Sequence, residues 1–315
     1  MELDLDELIV AVTSQAAGLA VAGAGMVLAE CFSDLDGRSN RSESLRRYAI
    51  RASQFEFAMQ NPVFDEGWFV DQFRCNRASF DYIVRLINQF WLVSNEPIGV
   101  NASFFVRDRV AVTLHYFAHS GNVAQSAKMF GMGKASAIRY IWQVIRVVEK
   151  CIEPMFVKLP HCEEEWKDLC NGFQKICGFP STCLAVDGSL FEIERPHDYE
   201  GWYCRKLYPA LNVQLVVDYR GAVRSYDFRT GSANDKAIFN YSEFGRNIKT
   251  IIPNGMFVVA DAGYKLSQQI LIPYPITDEM VPDESLFNYL HSRTRITVER
   301  AIGMIKTRFR ILSSR

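Results

Sequence analysis

This 315-residue chain lacks net charge: 35 Lys and Arg stand against 36 Asp and Glu, leaving −1. With no global field to draw it to nucleic acid, any such surface has to be local. It also lacks the composition of a disordered chain, being 49% hydrophobic and 23% charged. Its length allows one large core or two smaller ones. Eight cysteines are present, but no CxxC pair and no paired histidine spacing. Cys162, Cys170 and Cys177 cluster more loosely than zinc ligands do. The pattern predicts free thiols in a reducing compartment rather than a metal site or a disulfide set.

A basic flank is missing too. The run LIVAVTSQAAGLAVAGAGMVLA, residues 8–29, is uncharged and follows four acidic residues. It is long enough to span a bilayer, but it is rich in Ala and Gly and holds Thr13, Ser14 and Gln15. A signal peptide has a basic flank and a shorter apolar core. We expect a helix packed in protein, or a loosely ordered arm, and no membrane partner. RSNRSESLRRYAIR, residues 38–51, carries five arginines against one glutamate, the composition of a solvated helix face. Residues 1–51 thus read as an arm, acidic and apolar first and then basic.

Residues 52–155 read as a helical domain. FDYIVRLINQF, residues 80–90, has a helical period, with Ser79 or Asp81 as its cap. Within 105–150, Val110, Leu114, Phe117 and Ala118 recur at helical spacing. Asn122 then caps a short helix that Gly131 ends, and GMGKAS opens a longer one with Ile138, Ile141, Trp142, Ile145 and Val148 on one face. This is the pattern of a helix-turn-helix unit, although glycine turns also join ordinary bundles. From Arg107 to Lys150 there are seven Lys and Arg against two acids. Lys134, Ser136 and Arg139 fall in the first turns of the longer helix, where a recognition helix meets DNA.

The second half changes period. CLAVDGSL, LNVQLVVDYRGAVRSYDF and MFVVADAG read as strands, with YRG as a hairpin turn. Residues 156–315 are therefore α/β in pattern. Two buried-looking strands each end on Asp-Gly or Asp-Ala-Gly, at Asp187 and Asp261. Side by side at one edge of a sheet, two carboxylates repel unless they share a proton or bind a cation. No basic residue sits inside these strands, so Mg²⁺ or Mn²⁺ is the economical partner for oxygen-only ligands. The alternative is that each Asp caps the turn that follows it. Asp235, in RTGSANDKAIF, stands where an N-cap would stand and could reach the same edge. In RTRITVERAIGMIKTRFRIL, Val298, Ile302, Ile305, Phe309 and Leu312 form a buried stripe. Beside it run Arg295, Glu299, Gly303, Lys306 and Arg310. Seven Lys and Arg between Arg293 and Arg315 surround one acid, a phosphate-attracting surface.

In order, VDGS, LNVQLVVD, GSANDKAIF, VADAGY and FNYLHSRTRITVERAIGMIKTRFR resemble the DDE superfamily nuclease domain of PIF/Harbinger transposases and their domesticated derivatives, over about residues 180–312. Asn288, His291, Arg295, Glu299, Arg300, Gly303, Lys306 and Phe309 stand in register with its closing motif. The resemblance implies an α+β fold: an RNase H-like mixed sheet with flanking helices, preceded by the helix-turn-helix domain. It implies a metal triad of Asp187, Asp261 and Glu299, with Asp235 as an additional ligand and Mg²⁺ or Mn²⁺ as cofactor. The activity implied is two-metal cleavage of double-stranded DNA, with Arg295, Arg300, Lys306 and Arg308 on the DNA backbone. A separate Myb-like DNA-binding partner protein, self-association and a nuclear location go with it. Two departures stand out: the chain stops at ILSSR, where relatives usually continue, and Asn234 takes a place often held by His. A short C-terminus leaves room for a rival, a DNA-binding or adaptor protein that keeps the nuclease fold as a scaffold.

Overall fold

The computed structural model describes residues 53–61, 66–119, 122–193 and 200–312. The apolar run 8–29 and the arginine-rich stretch 38–51 lie outside the described residues. Among the described residues, no helix is long and apolar enough to cross a membrane and no disulfide forms. The chain divides into two compact units, one of residues 1–156 with 306–315, the other of residues 157–305.

The first unit is helical. Helices α1 (Ser53–Gln60), α2 (Glu66–Phe73) and α3 (Arg77–Ser94) meet through aromatic rings. Phe55 packs edge-on against Phe73, Phe80 and Phe130 at 6.0, 6.1 and 5.3 Å between centroids, geometry that the ring quadrupole favours. The cap of α3 is Asn76, whose side chain accepts from Ser79 N at 2.7 Å, rather than Ser79 or Asp81. The helix therefore starts a turn before its apolar period becomes visible. Helix α4 (Val106–Ala118) is buried along nearly its whole length. Asn122 caps α5 (Val123–Met129), and Gly131 turns the chain at φ +63°, a conformation cheap only for glycine. Helix α6 (Lys134–Val147) follows, burying Ile138, Ile141, Val144 and Ile145.

The second unit is built on a sheet. Helix α7 (Glu163–Cys177) ends at Gly178, φ +78°, and leads into β1 (Thr182–Glu192), whose first five residues are buried. Among them, burying Leu184 and Val186 contributes roughly 1.5–3 kcal/mol each. Strands β2 (Ala210–Val217) and β3 (Val223–Thr230) form the expected hairpin. Its turn is held by the buried Asp218, which accepts from Arg220 N, Ala222 N and the Arg224 guanidinium. Helix α8 (Asp235–Tyr241) precedes β4 (Phe257–Val259) and β5 (Ile270–Leu271). The sheet order is β3-β2-β1-β4-β5, with β1, β2 and β3 antiparallel and β4 and β5 parallel to β1. This five-stranded mixed sheet flanked by helices is the α+β, RNase H-like arrangement implied by the sequence.

Helix α9 (Pro282–Arg308) buries His291, Thr294, Val298, Ala301, Ile302 and Ile305. His291 Nε2 lies 3.1 Å from the Leu271 carbonyl, tying the helix to β5. The helix begins well before Arg293 and stops at Arg308, and Phe309 and Leu312 stay buried beyond its end.

Candidate active site

Register brings the two aspartates together. Ala185 on β1 pairs in parallel with Val259 on β4. Asp187, within β1, and Asp261, just beyond the end of β4, each lie two residues further on, and the Asp261 charge acts directly on Asp187. The strand does not end on Asp187 as its Asp-Gly pair suggested: β1 runs on to Glu192, and Asp187 Oδ1 accepts from Gly188 N within the strand at 2.8 Å. Only Asp261, beyond β4, serves a turn, its Oδ1 accepting from Gly263 N at 2.8 Å.

Asp187 is far more enclosed than Glu299, with 14% of its side chain exposed against 45%. Burial pushes its carboxyl up to about 6, and the negative charges of Asp261 and Glu299 push the same way. The Arg295 guanidinium and the Gly188 N–H oppose them. Arg295 Nη1 donates to Asp187 Oδ2 at 2.9 Å, and Arg295 Nη2 meets Glu299 Oε1 at 2.6 Å. A basic partner for Asp187 therefore exists, but it comes from α9 and not from the strands, where the sequence reading sought one.

Asp235 is the first residue of α8, and its neighbour Asn234 is the cap, accepting from Ala237 N at 2.8 Å. Freed from capping, Asp235 Oδ1 accepts from Asn212 Nδ2 at 2.9 Å. Gly188 makes room for it, since a Cβ there would collide with the Asp235 carboxylate. Tyr264 is buried beside these groups, its hydroxyl accepting from Gln214 Nε2 at 2.7 Å. Burial first, then the charges of Asp235, Asp187 and Asp261, hold that phenol well above its ordinary range. One hydroxyl thus feels three of the four acids.

Asn212, Gln214 and Tyr264 are the supporting residues that sequence reading missed. Their signal was the alternation in LNVQLVVD: two polar side chains two apart in an apolar strand share a face, and both are buried. Asn212 Nδ2 donates to the Ala233 carbonyl and to Asp235, which fixes the amide orientation. Its Oδ1 is left buried without a partner, an acceptor beside the Asp235 side chain.

The expected DNA-contacting residues are spread more widely. Lys134 and Arg139 are exposed on α6, with Ser136 half-buried; the Arg139 guanidinium lies 5.4 Å from the Tyr140 ring. On α9, Arg300 is exposed, Lys306 and Arg308 are half-buried, and burial holds Arg308 below its usual value. Arg295 is engaged with the acids. A side chain on Gly303 would meet open space. Among the described residues, no three His, Cys, Asp or Glu side chains converge tightly enough to hold a metal as they stand.

The family model for DDE superfamily endonucleases matches residues 186–315. The chain is 24% identical over 257 residues to "Putative nuclease HARBI1" of Rattus norvegicus, covering 77% of this chain and 72% of that protein. The mouse protein of the same name is 23% identical over the same length. "Protein ALP1-like" of Arabidopsis thaliana is 25% identical over 277 residues, 79% of this chain and 65% of that protein. No solved structure matches the chain. The segment that matches the DDE superfamily endonuclease model, 186–315, is the one that carries Asp187, Asp235, Asp261 and Glu299 and most of the RNase H-like sheet.

Proposed function

We propose that the protein is a metal-dependent DNA endonuclease of transposase descent. The observation that supports this best is the mutual electrostatic proximity of the acids, with Asp187 on β1 feeling Asp261 and Glu299 and Tyr264 feeling Asp235, Asp187 and Asp261, together with an orphaned amide oxygen on Asn212. That donor set is all oxygen and strongly anionic, which fits Mg²⁺ or Mn²⁺. Asp187, Asp261 and Glu299 would hold the cations, with Asp235 beside them, steadied by Asn212 and the space at Gly188. Bound there, two divalent ions supply a low-pKa water, charge stabilisation of the phosphoryl group and a seat for the leaving 3′ oxygen.

The protein's own groups do the rest. Buried Gln214 donates to the Tyr264 hydroxyl and to the Asp235 carbonyl, which would hold α8 and its acid in place beside β2. Arg300, Lys306 and Arg308 offer positive charge to the DNA backbone, offsetting the repulsion between acids and phosphate. Lys134, Ser136 and Arg139 would meet duplex DNA from a helix-turn-helix. Work on DNA suits a nuclear location.

One observation favours a second reading, a DNA-binding or adaptor protein that keeps the fold as a scaffold: the acids do not stand in ligand geometry. The test is a pair of measurements on wild type and Asp261→Asn, nicking rate with Mg²⁺ and DNA affinity by titration. The amide is isosteric, so DNA affinity is expected to persist while nicking falls at least about a hundredfold, the loss of nearly 3 kcal/mol of barrier lowering. A variant that nicks at the wild-type rate removes Asp261 from the metal site. A wild type that binds DNA but fails to nick it in the presence of any divalent ion establishes the scaffold reading.

A further inference from the structure

Resting on the metal-dependent reading above, we propose that Arg295 is the resident counter-cation of the acid cluster and that metal loading requires its displacement. Its two terminal nitrogens are divided between carboxylates on different elements: Nη1 on Asp187 of β1 at 2.9 Å and Nη2 on Glu299 of α9 at 2.6 Å. A cation shared by those two carboxylates has to lie where the guanidinium fork lies. The bond to Asp187 links residues 108 apart in sequence, so it is a tertiary contact and not a by-product of helix geometry. The Glu299 pair is an i,i+4 pair with the arginine N-terminal, the weaker of the two orders on a helix. Helix stabilisation alone therefore does not account for the fork.

Electrostatics give the fork its purpose. Without a positive charge, the enclosed Asp187 would face Asp261 and Glu299 as bare like charges. Arg295 neutralises that repulsion in the metal-free protein and keeps the sheet edge intact. A divalent ion does the same with twice the charge, and two ions would repel the guanidinium from the cluster. Once released, Arg295 has the planar pair of donors that suits a phosphate. Arg295 is thus a positioning residue that exchanges carboxylates for phosphate as cations enter, and it raises the metal concentration needed to load the site.

The experiment titrates Mn²⁺ by calorimetry into the full-length wild type, Arg295→Gln and Arg295→Lys, with thermal unfolding measured in EDTA and in saturating Mn²⁺. Arg295→Gln is expected to bind Mn²⁺ about tenfold tighter than wild type, to melt lower in EDTA, and to gain more from Mn²⁺. Arg295→Lys keeps one charge but cannot fork across both carboxylates, and its affinity is expected between the two. It decides the matter if the glutamine variant does not fold without metal. Wild type that binds Mn²⁺ while both folded variants bind it equally or more weakly overturns the inference and leaves the metal site standing. If neither wild type nor variants bind Mn²⁺, the metal reading fails and the inference with it.

Discussion

Asp187 carries an unusual charge state because burial, not a neighbour, dominates it. Its carboxyl sits near 6, against an ordinary value of about 3.9. Between those two values the folded metal-free protein holds a proton that the unfolded chain has lost. Stability should therefore be fully present below about pH 4 and fall as pH rises toward 6, by up to about 3 kcal/mol. Urea midpoints of wild type minus Asp187→Asn, measured in EDTA across that window, should show the slope, and parallel profiles would refute it. Gly188 supports a second residue-scale prediction. Its substitution by Ala drives a methyl group into the Asp235 carboxylate. We expect a cost of about 1–3 kcal/mol and weaker Mn²⁺ binding, read by calorimetry; unchanged affinity would take Asp235 out of the site.

At the scale of elements, α4 carries an opposite pH response. His115 is buried, hydrogen-bonded to Ser126 Oγ at 2.9 Å, with the His119 ring tilted 30° to it at 4.2 Å between centroids. Burial, then the His119 charge, lowers it to about 4. The unfolded chain takes up the proton first as pH falls from 6.5, so stability is lost between about 6.5 and 4, by up to about 3 kcal/mol. His115→Gln should flatten that loss in urea unfolding, and a slope identical to wild type would contradict it. The elements themselves were largely legible. The β2–β3 hairpin, the Asn122 cap and the Gly131 turn follow from local chemistry that a sequence displays directly. Cap positions were less so: Asn76 replaced Ser79 and Asp81, and Asn234 replaced Asp235. Asn, Asp and Ser cap almost equally well, so periodicity alone does not choose among neighbours. The bond of Arg295 to Asp187 was not legible, because a helix stripe shows which residues share a face but not which strand they reach. Asn212 and Gln214 were missed because a buried polar pair in a strand announces a partner without naming it.

At the scale of the molecule there are two compact units, a helical one with exposed Lys134 and Arg139 and a sheet unit with the acids, between which the proposed function would divide DNA binding and chemistry. Near-zero net charge confines attraction for DNA to local basic surfaces, so DNA affinity should fall steeply with salt. Everything catalytic in this account depends on whether the acids at the β1–β4 edge take a cation in place of Arg295. The direct measurement is an anomalous difference map from a crystal soaked in Mn²⁺. The account predicts a peak bridged by Asp187, Asp261 and Glu299, with Arg295 turned away from both carboxylates. Arg295 still forked between Asp187 and Glu299 at saturating Mn²⁺, with no peak among the acids, would contradict it.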